Sequence, residues 1–140
     1  MLRDYETKEL QKLCEAIRGE EGAQEWLKEN GFRELSEFWD AYEDVEKSFQ
    51  WLKGNGFIHF AALVDAMSGN ESAKVWLLRN KMETLGILVD AAAGNKSAVE
   101  WLLRSGEKGW VMVAQAIHEY EKKKSKKGFW NFFNFGNPYS

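Results

Sequence analysis

Trp26-Leu27, Trp51-Leu52, Trp76-Leu77 and Trp101-Leu102 stand 25 residues apart, in register and without an insertion. Ala16, Ala41, Ala66, Ala91 and Ala116 keep the same interval, as do Asp40, Asp65 and Asp90, and the small residues Ala23, Ser48, Ala73 and Ala98. Several independent columns at one period are the signature of stacked units, each too small to bury its own apolar face and each completed by its neighbour. The period restricts the chain to a tandem array before any other feature is weighed.

Inside each unit the apolar spacing is helical. Ala73, Trp76 and Leu77 fall at i, i+3 and i+4, and Met82, Leu85, Leu88, Val89 and Ala92 trace a second such face. Asn30-Gly31, Asn55-Gly56 and Ser105-Gly106 end the first helix, with glycine supplying the left-handed residue. Asn80-Lys81 interrupts that column, and Asn80 is the candidate for the left-handed role there. Gly69-Asn70 and Gly94-Asn95 end the second helix and offer an asparagine N-cap to the next, while Asp44 replaces the glycine in one unit and predicts a different joint. Helices of about nine to twelve residues are marginal alone, so stacking must stabilise them. The tryptophan column Trp26, Trp51, Trp76 and Trp101 is the expected spine.

The expected fold is all-α: a short α-solenoid of 25-residue helix-turn-helix repeats, with an N-terminal half-repeat followed by four helix pairs. Residues 4–18 supply the half-repeat, since Leu10 aligns with Leu35 and Leu13 with Phe38. The repeat domain covers 1–121 and a basic, aromatic tail covers 122–140, expected to pack on the last repeats. All 22 acidic residues and 14 of the 19 basic ones lie at or before Glu121, a balance of −8, and the tail carries five lysines and no acid.

The polar columns favour structure over chemistry. Asp40, Asp65 and Asp90 are read as a repeat joint, each carboxylate accepting from amides of the following helix. His59 and His118 share columns with polar or small residues and are expected to be exposed. They have no zinc-ligand spacing and no nucleophile in register. Cys14 aligns with Trp39, Val64 and Val89, so it reads as a core residue, and a single cysteine excludes an internal disulfide. Gly54-Asn55-Gly56 lacks the preceding strand of a phosphate loop. No catalytic, cofactor-binding or metal residue is nominated, and no small-molecule substrate is expected.

Interaction residues are nominated instead. Leu78 and Leu103 stand where earlier units carry Lys28 and Lys53, and form an apolar strip unless something covers them. Lys122, Lys123, Lys124, Lys126 and Lys127 are followed by Phe129, Trp130, Phe132, Phe133 and Phe135. The tail can cap the array, dock on another protein or a second copy, or rest on an anionic membrane surface. Nucleic acid is disfavoured by the acidic body. The start of the chain lacks the apolar stretch of a signal peptide, and no run approaches about eighteen apolar residues. The expectation is a cytoplasmic, non-catalytic protein-interaction scaffold, with a peripheral membrane adaptor as the alternative.

Overall fold

The computed structural model describes residues 3–135, and side chains as far as Ser125. The described residues are all helix and turn, without a strand: α1 (Thr7–Ile17), α2 (Ala23–Glu29), α3 (Arg33–Tyr42), α4 (Glu46–Gly54), α5 (Ile58–Met67), α6 (Glu71–Arg79), α7 (Glu83–Ala92), α8 (Lys96–Arg104) and α9 (Lys108–Phe135).

Left-handed residues end the helices in register. Gly31, Gly56 and Gly106 have φ of 86°, 85° and 76°. In the third copy the left-handed residue is Lys81, at 63°, and not Asn80. The Asn80 side chain instead donates to the Trp76 carbonyl at 2.8 Å, as Asn30 and Asn55 do to Trp26 and Trp51. Asp44, expected to change its joint, takes φ 69° in the place of Gly19, Gly69 and Gly94. The surrounding hydrogen bonds hold it there, because Val45 N–H reaches back to the Asp40 carbonyl at 3.0 Å.

The aspartate column works through its main chain. Val45, Asn70 and Asn95 donate to the carbonyls of Asp40, Asp65 and Asp90, each at 3.0 Å. The expected carboxylate-to-amide bonds do not form, because two of these side chains point back across the repeat. Asp40 accepts from the Gln24 amide at 2.9 Å and Asp90 from the Lys74 ammonium at 2.8 Å. The expected asparagine caps do form, with Asn70 and Asn95 accepting from Ala73 and Ala98 N–H at 3.1 Å.

Helices α1, α3, α5, α7 and α9 make the inner layer, each packed on the next. Every one contributes a fully buried residue from one column: Leu13, Phe38, Leu63, Leu88 and Val113, all at 0% exposure. Helices α2, α4, α6 and α8 lie against this layer through Leu27, Leu52, Leu77 and Leu102, also at 0%. These leucines are the spine. Consecutive helical residues point about 100° apart, so only one member of a Trp–Leu pair can face inward. The tryptophans flank the core, with Trp26 and Trp51 half-buried and Trp76 and Trp101 exposed to 37% and 36%.

The inner layer also closes on itself, which a row open at both ends would not do. Helix α9 packs on α1 as well as on α7 and α8. The contact is close: a Cβ at Gly109 would fall 2.5 Å from Leu10 Cδ1. Residues 3–6 lie across this end. The Tyr5 ring meets Trp110 edge-on at 6.0 Å and Phe60 at 6.3 Å. Its hydroxyl donates to Glu34 at 2.7 Å, and Arg3 donates to the same carboxylate at 2.9 Å. Burial and the Glu34 charge raise the Tyr5 phenol far above its usual range.

Neither histidine is exposed, contrary to expectation. His59 is 7% exposed beside Phe60 at 4.5 Å, and its Nε2 has no partner among the described residues. Burial lowers its pKa. His118 is half-buried and donates from Nδ1 to the Ala92 carbonyl at 3.0 Å. The His59 column lies on the seam between inner helices, where Glu9 and Glu34 are also buried, whereas the positions equivalent to His118 in the other copies are exposed. The first polar column therefore marked a packed seam, and His118 alone of its column is covered, by the end of α7. Cys14 is 1% exposed, and burial pushes its thiol up to about 11, as suits a core residue.

Candidate interaction site

Four inner helices end at matching register positions: Ile17, Tyr42, Met67 and Ala92. The fifth equivalent is Ile117, yet α9 runs on to Phe135. The left-handed column explains this. After Gly19, Asp44, Gly69 and Gly94 it reads Glu119, a good helix former followed by more of the same. Eighteen further residues at 1.5 Å each carry the axis about 27 Å past the level of its neighbours. The repeat-to-tail boundary expected at 121 is thus crossed by one unbroken helix.

An aromatic clamp holds the base of this extension. Trp39 stacks on Tyr42 at 4.9 Å, and Tyr120 meets Trp39 edge-on at 4.9 Å. The Tyr42 hydroxyl donates to the Glu121 carboxylate. Burial, then that hydrogen bond, raises the Tyr42 phenol well above its ordinary value. Lys124 places its ammonium 5.9 Å from the Tyr120 ring.

Between this base and the ends of α5 and α7 lies an open groove of about 720 Å³. Its apolar wall includes Met67, Val89 and Ile117, and Asp90, His118 and Glu121 add polar groups. Gly94 makes room for the histidine, since a Cβ there would meet its Cε1 at 3.0 Å. The groove faces the carbonyl ends of α5 and α7, which favour positive charge.

The nominated residues divide. Lys122, Lys123 and Lys124 are exposed on α9, and Lys122 borders the groove. Leu103 is 51% exposed on α8. Leu78, at 38%, is partly seated: a Cβ at Gly86 would lie 2.6 Å from its Cδ2, so the glycine gives it a shelf. The side chains of Lys126, Lys127, Phe129, Trp130, Phe132, Phe133 and Phe135 lie outside the described residues, and with them the expected packing of the tail on the last repeats. Sequence reasoning missed Tyr42, His118, Tyr120 and Glu121. The missing stop at position 119 was the available signal, because a helix that does not end must carry its next residues past the neighbouring helix ends.

Among the described residues no cluster of His, Cys, Asp and Glu is arranged to hold a metal, and no helix is long and apolar enough to cross a membrane. Comparison with protein-family models, with curated protein sequences and with solved structures returns no match. The functional reading therefore rests on the chain's own geometry.

Proposed function

We propose that this chain is a non-catalytic protein-interaction scaffold of the cytoplasm, built from tandem helix pairs, in which the extension of α9 is the docking element. The observation that carries the reading is that α9 outruns its register end by 18 residues while changing composition, from lysines to aromatics. A helix kept only for the core has no use for that length. Closely spaced aromatics on a helix are the kind of anchors that fill pockets on a partner. A single cysteine, Cys14, that is buried in the core is in keeping with a cytoplasmic setting.

A second reading draws on the exposed lysines Lys122, Lys123 and Lys124, which precede the aromatic segment. Basic side chains beside aromatics also suit an anionic membrane surface, each lysine adding about 1 kcal/mol near it. One pair of assays separates the two. Crosslinking of the full chain in cell extract is expected to recover a defined protein, lost in the Phe132→Lys/Phe133→Lys variant. Sedimentation with phosphatidylserine vesicles is expected to leave the chain in the supernatant. Co-sedimentation that the same variant abolishes, with no protein captured, would replace the scaffold with the membrane adaptor.

A further inference from the structure

The first two tryptophans of the repeat column are covered by residues at fixed offsets, and Trp76 and Trp101 lack that cover. Trp26 stacks on Phe32 at 6.3 Å, and Lys8 and Lys12 hold their ammonium groups 5.4 and 5.6 Å from its ring. Trp51 stacks on Phe57 at 5.7 Å, and the Arg33 guanidinium lies 4.4 Å from its ring. In both copies the cation comes from the residue 18 positions earlier and the stacking partner from six positions later. For Trp76 the earlier positions hold Ile58 and Ala62, which line one shallow recess with it, so the geometry persists where the chemistry has changed.

For Trp101 the same two offsets hold Glu83 and Glu107. The ring that two earlier copies close with an internal cation is here 36% exposed, and the positions that supplied the cover are acidic. None of the ion pairs among the described residues involves Glu83, Glu107 or the nearby Asp4. Partial burial, and secondarily the Asp4 charge, push the Glu107 carboxyl up from its usual range. A ring face with acids beside it selects a cation, since the quadrupole and the carboxylates attract the same group.

The chain carries such a cation, and its own copy cannot reach. Glu83 and Glu107 stand at the beginnings of α7 and α9, whereas Lys122 lies 14 residues beyond Lys108 on the straight run of α9, about 21 Å away. We propose that Trp101, Glu83 and Glu107 form an acceptor for the exposed lysines Lys122–Lys124 of a second copy, giving head-to-tail association. This rests on the scaffold reading and names its partner as the chain itself. Acceptor and donor lie at opposite ends, so the contact is heterologous and builds short rows or rings. The acidic body and basic tail of neighbouring copies are brought together, not like against like.

Sedimentation velocity on the full chain across a concentration series tests this. The mass is expected to rise with concentration and to fall back as salt is added. Trp101→Ser is expected to weaken association by about tenfold or more, as is Lys122→Gln/Lys123→Gln/Lys124→Gln. Trp76→Ser, equally exposed but with no acid at these offsets, is expected to leave it unchanged. Each deficient variant keeps one working end, so an equimolar mixture of the two is expected to stop at a dimer. A concentration-independent monomer overturns the proposal, and leaves the scaffold reading standing if the crosslinking assay still recovers another protein. Equal loss in Trp76→Ser also overturns it, because association would then follow exposed apolar area and not the acceptor.

Discussion

In every Trp–Leu pair the smaller residue holds the core, and the consequence is measurable. Leu77 is at 0% exposure and Trp76 at 37%. Leu77→Ala empties a closed site and is expected to cost about 2–5 kcal/mol, whereas Trp76→Ala removes a ring already touching water and is expected to cost about 1–2 kcal/mol. Chemical denaturation of the two variants checks the order. His59 gives a second residue-scale expectation. Burial holds its folded pKa below the ordinary 6.5, with Glu34 opposing the shift. Above 6.5 both states are neutral there and the residue contributes no pH dependence. As pH falls below 6.5 the unfolded chain takes up a proton that the folded chain refuses, so stability declines until the lowered folded pKa is passed. The slope from this residue is at most about 1.4 kcal/mol per pH unit. His59→Leu is expected to flatten that segment in denaturant melts. It also removes the unpartnered Nε2, so it is expected to be the more stable protein.

At the scale of elements, the turns show which parts of the fold the sequence could disclose. Columns at one period located the helix pairs, because a repeated joint needs a repeated residue, and Asn70 and Asn95 cap the helices that follow them as their type suggests. Lys81 and Asp44 were harder to read. Lys81 adopts a conformation its type disfavours, and Asp44 one that aspartate takes occasionally, because their flanking hydrogen bonds match those of the glycine copies and local preference yields to that frame. Lys81→Gly is therefore expected to stabilise the protein by about 0.5–1 kcal/mol, visible as a higher denaturation midpoint. If the variant is neutral or destabilised, Lys81 gains something from its side chain that offsets the strain. The candidate site was partly readable for a related reason. The lysine run declared itself by composition, but the Trp39–Tyr42–Tyr120 clamp joins residues about 80 positions apart, and no period of 25 connects them.

Closure changes how the whole molecule should unfold. In an open row of repeats each unit contacts only its neighbours, so the terminal units fray and the array can melt from its ends. Here the first and last inner helices contact one another, and α1 is a neighbour of both α3 and α9. No inner helix is left with a single flank. The weakest point is then the seam between α1 and α9, where Gly109 lets Leu10 approach and Leu10 is itself 2% exposed with little room to move. Gly109→Val places a branched side chain against Leu10 Cδ1 and is expected to pry this seam apart, at about 1–3 kcal/mol for overpacking. Amide exchange under native conditions gives the decisive reading. In the parent chain, amides of α1 and of residues 110–117 are expected to exchange through the same global opening as those of α3 and α5. In Gly109→Val, α1 and the first half of α9 are expected to exchange by a separate, lower-energy opening while α3 and α5 keep most of their protection. If α1 already exchanges early in the parent chain, the closure adds little to cooperativity and the inner layer behaves as a row with two ends.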